Sequence, residues 1–140
     1  MTQHTHNIRV YYEDTDAGGV VYHSNYLNFA ERARTEWLRY LGHQNSDLEK
    51  EFRTLFVVKH IDIDYLRPGR LDDSLQVITT IETLKNSSFT MRQSVIRKNT
   101  DSHEEMLADI HVVLVCVDTN TIKPVRLPQI LRTEFEKFML

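Results

Sequence analysis

Apolar residues recur along this 140-residue chain in two rhythms, and the change from one to the other marks out its elements. Over residues 7–12, Ile8, Val10 and Tyr12 alternate with polar neighbours, the period-two pattern of a half-buried strand. From Ser24 or Asn25 the spacing lengthens. Tyr26, Ala30, Ala33, Trp37 and Leu41 fall three or four residues apart and form one helical stripe. Glu31, Arg32, Arg34, Thr35, Glu36 and Arg39 are assigned to the opposite face. Ser24 is a residue type that caps helix N-termini, and Gly42 suits the C′ position where a helix ends.

Residues 43–53 are polar and read as a loop with a short helical turn near 47–52. Four strand-like segments follow, at 54–66, 75–84, 89–98 and 106–117. They are divided by Arg67-Pro68-Gly69-Arg70, by residues 85–88 and by residues 99–103, all turn-like in composition. The last strand is the most apolar and is expected at the centre of a sheet. Ile122 to Arg126 reads as one further short segment. Pro128 suits the first position of a closing helix, with Ile130, Leu131, Phe135 and Phe138 on its apolar side. Consecutive strands with short connections are expected to pair antiparallel, and the stripe through Trp37 supplies the cover their apolar face needs. The reading is α+β: one domain over residues 1–140, an antiparallel sheet wrapped around one long central helix.

Composition narrows the function more than the fold. Charged residues make up 26% and hydrophobic ones 41%, the balance of a globular protein, and the net charge is −3 without a block of like charges. Nucleic acid is therefore not expected as the main partner, because phosphate backbones call for a clustered basic face. Cys116 is the one cysteine, so no internal disulfide forms. Its setting in Val112-Val113-Leu114-Val115-Cys116-Val117 suggests a buried, inert thiol. The polar N-terminus does not read as a signal peptide, and no apolar run approaches the ~20 residues of a membrane helix. A cytoplasmic location is the expectation.

The chemistry concentrates between the first strand and the long helix, in the stretch from Tyr11 to Tyr26. Asp14, Asp16, the Gly18-Gly19 pair and His23 all lie there. Gly-Gly lets the backbone turn tightly and approach a ligand, and the helix brings free N–H groups and its positive end to the same place. A carboxylate in that position can attack a carbonyl or activate water while an N–H polarises the carbonyl oxygen. The competing reading is turn chemistry alone, since Asp commonly caps backbone N–H groups before glycine. His23 at the helix entry either orients a water or is simply a hydrogen-bonding residue. His4 and His6 read as tail residues, His60 and His111 as strand residues, and Asp62 and Asp64 as the solvated face of a strand. No histidine–cysteine spacing suggests a metal site. Arg67, Arg70, Lys85, Arg92, Arg97 and Lys98 gather near strand ends, where together they could meet the phosphates of a nucleotide-bearing ligand.

Those same residues carry a family resemblance. Tyr12 to Tyr26 (YEDTDAGGVVYHSNY), continued through Glu31-Arg32-Ala33-Arg34-Thr35-Glu36, with Asp64-Tyr65-Leu66-Arg67-Pro68 and Leu71-Asp72-Asp73, resembles the hotdog-fold acyl-CoA thioesterases of the YbgC type, relatives of 4-hydroxybenzoyl-CoA thioesterase. The resemblance spans nearly the whole chain. It implies that Asp16 is the catalytic nucleophile or general base, with Tyr12 and His23 assisting. Gly18, Gly19, Val20 and Tyr22 are expected to contact the substrate, and Lys85 is carried as a phosphate contact although Lys85-Asn86-Ser87-Ser88-Phe89 stands where the benzoyl relative has a more basic stretch. The resemblance implies no metal and no cofactor beyond the coenzyme A carried by the substrate itself. It also implies short-chain acyl-CoA or acyl-carrier-protein thioesters as substrates, a homodimer or homotetramer with shared sites, and an association with the Tol-Pal envelope system at the inner-membrane periphery. Two other functions remain: a non-catalytic module that binds acyl carrier protein, and a dehydratase of hydroxyacyl thioesters. The second usually employs a His and an acidic residue on the long helix, and the stripe Ala30, Ala33, Trp37 offers no such pair.

Overall fold

In the computed structural model, which describes residues 2–101 and 103–140, eight elements follow one another. They are β1 (His4–Arg9), α1 (Asn25–Tyr40), α2 (Asn45–Phe52), β2 (Thr54–Tyr65), β3 (Ser74–Leu84), β4 (Ser88–Lys98), β5 (Glu104–Asp118) and α3 (Gln129–Glu136). Met1, and Ser102 in the anticipated 99–103 turn, lie outside the described residues. The five strands form one antiparallel sheet in the order β1-β3-β4-β5-β2. Register shifts at Val58/His60, Ile81/Thr83 and Val95/Ile96 each insert an extra residue on one strand. Such bulges raise the local twist and let the sheet curve around α1.

The helix stripe is as its spacing predicts. Tyr26, Ala30, Ala33 and Trp37 are buried, joined by Phe29 and Leu38, while Leu41 is half-buried at the helix end. Gly42 follows at φ 93°, the left-handed turn that releases the chain and that glycine adopts without a Cβ penalty. Ser24 occupies the N-cap, but its backbone is helical and its side chain makes no capping bond. At the far end of α1, Trp37 packs on Phe135 (4.7 Å between ring centres) and Phe138 (5.7 Å), and Phe89 packs on Phe56 (5.2 Å) and Phe135 (5.1 Å). This aromatic cluster joins α1, α3 and the sheet.

Several expectations need correction. The first strand lies three residues earlier than its pattern suggests. His4 and His6 belong to β1 and pair with Thr79 and Val77, and the His4 ring lies 5.3 Å from that of Tyr40. Burial, reinforced by His6, pushes the His4 imidazole below its ordinary pKa. Tyr12 is in a 3-10 turn with Glu13 and Asp14 rather than in a strand. Strands β2 and β3 are consecutive but do not pair, since β2 crosses to the opposite edge and pairs with β5. Strand β5 is interior, yet β4 holds the middle position. Residues 122–126 make only an isolated bridge between Pro124 and Val117. Pro128 is the N-cap of α3, Ile130 is 57% exposed, and Phe138 is buried just past the helix end. Cys116 is buried, with its thiol pKa raised by that burial. Among the described residues no helix is long and apolar enough to cross a membrane.

Candidate active site

The stretch from Asp16 to Val20 is a tight hairpin. Gly19 N–H donates to the Asp16 carbonyl (3.0 Å), and Asp16 N–H donates to the Val20 carbonyl (2.9 Å). Gly19 takes φ 80°, which closes a three-residue loop at no steric cost. Within it the Asp16 carboxylate divides its work. Oδ1 accepts from Gly18 N–H (2.9 Å) and, at longer range, from Val20 N–H (3.4 Å). Oδ2 has no hydrogen-bond partner among the described residues, and the side chain is exposed. The turn-chemistry reading of Asp16 is thus realised in one oxygen, while the other is left for a ligand. Gly18 has little room for a side chain, because a Cβ there would meet Asp16 Oδ1 at 3.3 Å.

Asp14 anchors this loop. It is 4% exposed, accepts from Tyr11 N–H through Oδ2 (2.8 Å) and from Asn25 Nδ2 through Oδ1 (2.7 Å), and its carbonyl accepts from Tyr22 N–H (2.8 Å). One buried aspartate therefore ties the strand exit and the first residue of α1 through its carboxylate, and the loop through its backbone carbonyl. Asp14→Ala removes two charge-assisted bonds at once, so a loss of about 2–3 kcal/mol is expected, read by urea denaturation.

His23 and Ser24 form the turn into α1, and among the described residues their backbone N–H groups have no hydrogen-bond partner. The His23 imidazole is exposed and stacks near Tyr22 (4.5 Å between centres) and Tyr65 (6.3 Å), and the Tyr65 hydroxyl donates to the His23 carbonyl (3.0 Å). Val21 N–H donates to the Gly69 carbonyl (2.8 Å), and Gly69 N–H donates to the Tyr26 hydroxyl (2.9 Å). Gly69 allows this close approach: a Cβ would sit 3.0 Å from Val21 Cγ2 and 3.2 Å from the Tyr26 oxygen. Gly69→Ala is expected to cost about 1–3 kcal/mol through overpacking, seen as a lowered Tm.

The predicted site residues divide into groups. Tyr12, Asp16 and Gly19 line one open depression of ≈ 400 Å³ together with Thr15, Ala17 and Leu71. His23 lines a second, of ≈ 290 Å³, with Val21, Tyr26, Tyr65 and Arg67 among its walls. Gly18 donates to Asp16, Val20 bridges to Arg70, and Tyr22 is tied to Asp14 through its backbone. Tyr12 is 82% exposed, and its hydroxyl makes no bond among the described residues. Lys85 lies just past the far end of β3, eleven residues from the Ser74 end beside the loop, or roughly 35 Å at the usual strand rise. The structure does not bring it to Asp16 within one chain.

Of the basic residues grouped with it, two are already engaged. Arg92 holds Asp109 with both donors (2.9 and 3.2 Å), and Arg97 bonds Asp73 (2.9 Å) and Glu105. Each carboxylate partner raises its arginine further above its already high pKa, and each arginine lowers the pKa of Asp109 or Glu105. Arg67, Arg70, Lys85 and Lys98 remain exposed, although Lys98 lies 3.6 Å from Glu104. Among the described residues no group of three or more His, Cys, Asp or Glu is arranged to hold a metal ion.

The sequence pattern of the thioesterase-like superfamily matches residues 10–135, nearly the whole chain. The chain belongs to the thioesterase-like superfamily. Within it, an Escherichia coli protein described as acyl-CoA thioester hydrolase YbgC is 42% identical over 130 residues, covering 93% of each chain. A Haemophilus influenzae acyl-CoA thioesterase YbgC is 44% identical over 128 residues, covering 91% of this chain and 90% of the relative. The crystal structure of a probable thioesterase from Bartonella henselae, 37% identical, superposes with a TM-score of 0.82 over 91% of this chain and all of that one. The architecture is the hotdog fold of this superfamily.

Proposed function

We propose that this chain hydrolyses acyl-CoA thioesters to the free acid and coenzyme A. The observation that carries the proposal is the divided Asp16 carboxylate: one oxygen fixed by the loop, the other exposed and without a partner. Superfamily membership and relatives described as acyl-CoA thioester hydrolases supply the substrate class.

In this reading the thioester carbonyl oxygen accepts from the free N–H groups at the entry to α1, where the helix dipole favours developing negative charge. Asp16 then acts in one of two ways. As general base, it takes a proton from water while the hydroxide attacks the carbonyl carbon. The tetrahedral intermediate collapses, the C–S bond breaks, and the thiolate recovers the proton. As nucleophile, the carboxylate oxygen attacks, expels the thiolate and forms a mixed anhydride that water cleaves. His23 and Tyr12 orient substrate or water, Gly18, Gly19, Val20 and Tyr22 shape the approach, and the exposed Arg67 and Arg70 are candidates for phosphate contacts. Lys85 joins them only from a second copy of the chain, as a homodimer or homotetramer with shared sites would allow. The reaction needs no metal or redox cofactor.

A short-chain acyl-CoA and a 3-hydroxyacyl-CoA, each incubated with the protein, test the assignment by mass spectrometry of the products. Free acid and coenzyme A from both are expected. An enoyl thioester from the second substrate would point to dehydration instead, and unchanged thioesters would point to a binding role. The inward face of α1 carries Tyr26, Phe29, Ala30, Ala33 and Trp37, with no His–acid pair for the dehydration reaction.

A further inference from the structure

A third cavity lies away from the Asp16 loop, between the second half of α1 and the sheet. It holds about 150 Å³ and is walled by Trp37, Leu38, Phe56, Phe89, Met91 and Leu114, with Arg34 and Glu31 among its polar lining. The walls are mainly apolar, and Arg34 is the one cation among the polar residues of the lining, which also include Glu31, Thr35 and Asn45. Arg34 is half-buried and carries five N–H donors. Its Nη1 donates to Gln93 Oε1 (2.9 Å), and Glu31 one turn earlier attracts it at longer range without forming a salt bridge among the described residues. Gln93 is fully buried and committed elsewhere, donating to the Ala30 carbonyl (2.9 Å) and to Thr79 Oγ1 (3.2 Å). Trp37 is 2% exposed, and its indole N–H has no acceptor among the described residues. A half-buried guanidinium with one neutral hydrogen-bond acceptor, whose opposite charge is the exposed Glu31 one turn earlier, keeps donors free beside the orphaned indole N–H, and an anion entering the cavity can take them.

We propose that this cavity binds the far end of the substrate's acyl group and selects acyl chains that end in a carboxylate. The volume fits the assignment: at roughly 30 Å³ per water-sized atom it takes about five non-hydrogen atoms, two methylenes and a carboxylate. The methylenes lie against the aromatic and aliphatic walls, and the carboxylate meets Arg34, whose planar fork suits bidentate contact. Glu31 at the rim is the one opposing charge, and it is exposed to solvent. Arg34 lies ten residues beyond Ser24, about 15 Å along the axis of α1, so the preferred chain length reports how the cavity is reached from the reacting carbonyl.

This proposal rests on the thioesterase reading for its substrate, but one of its tests does not. Trp37 is the only tryptophan in the chain, so its fluorescence reports occupancy of the cavity directly. Titration with monomethyl succinate is expected to change Trp37 emission, and methyl 4-methylpentanoate, with the same number of non-hydrogen atoms but no charge, is not. Arg34→Gln should weaken the succinate response by roughly tenfold or more, and Glu31→Gln should strengthen it by removing the opposing charge. In the second test, kcat/KM is compared for ω-carboxy and methyl-ended acyl-CoAs of matched length from four to ten carbons. A preference for the carboxy series at one length, falling at least about tenfold in folded Arg34→Gln, is expected. Equal emission responses to the two esters, or a succinate response unchanged in folded Arg34→Gln, would overturn the proposal. If no CoA ester is cleaved, the thioesterase reading fails, while the fluorescence titration still decides the cavity.

Discussion

Asp16→Asn is expected to fold as the parent does and to lose about 10²- to 10⁴-fold in kcat on any acyl-CoA that the parent cleaves, the range for removal of a general base. Asparagine keeps an oxygen at the Oδ1 position, so the Gly18 N–H retains its acceptor and the Gly19 turn keeps its shape. What disappears is the charge on the free oxygen, which both mechanisms require. Tm should therefore move little while turnover collapses, a combination a purely structural aspartate does not give. Asp14 provides the contrast. Its two oxygens are occupied and buried, so its substitution should lower stability first. Kinetics and thermal melts on Asp16→Asn and Asp14→Ala, run together, check both assignments.

The largest stability effect is expected at Phe135. Its ring is fully buried and lies 4.7 Å from Trp37, 5.1 Å from Phe89 and 6.1 Å from Phe56, so it joins α3 to both α1 and the sheet. Phe135→Ala leaves a cavity among rigid rings that cannot collapse into it, at a cost of about 3–5 kcal/mol. Urea denaturation should show a lower midpoint at unchanged slope. The protein that stays folded should retain the parent kcat, because α3 contributes no residue to the Asp16 depression. A loss below about 1 kcal/mol would mean that the aromatic cluster does not hold the helix.

Much of this architecture was legible because burial imposes a period. The stripe from Tyr26 to Trp37 identified α1, and Gly42 its end, since few residues other than glycine turn at φ 93°. The four long strands were visible in the same way. What the periodicity could not show was pairing. Arg67-Pro68-Gly69-Arg70 reads as a turn and therefore suggests that β2 pairs with β3, but the chain crosses the sheet there, and only the packing of Gly69 against Val21 and Tyr26 makes that course visible. The placement of β1 failed for a related reason. Its edge position exposes alternate polar residues, so His4 and His6 looked like a tail although their backbones complete the sheet.

The candidate site was legible in its residues but not in its division of labour. Asp14 and Asp16 are chemically equivalent in sequence. Only the 3-10 turn at residues 12–14 buries the first and leaves the second at the surface. Tyr65 and Gly69 support the site from β2 and its exit loop, more than forty residues from the aspartates, by bonding His23 and Tyr26. The i, i+3 spacing of Tyr11 and Asp14 and the Asn at the start of α1 were the local signals for the Asp14 anchor. Nothing local linked Arg34 to Gln93, which lie 59 residues apart.

The central claim is thioester hydrolysis at Asp16, and its most direct test is thiol release from a panel of acyl-CoAs of rising chain length, followed with a thiol-reactive chromophore. The account predicts steady release by the wild-type chain on at least one ester, with one acid formed per thiol and loss of release in Asp16→Asn. Absence of release across the whole panel, or equal release by the two proteins, would contradict it.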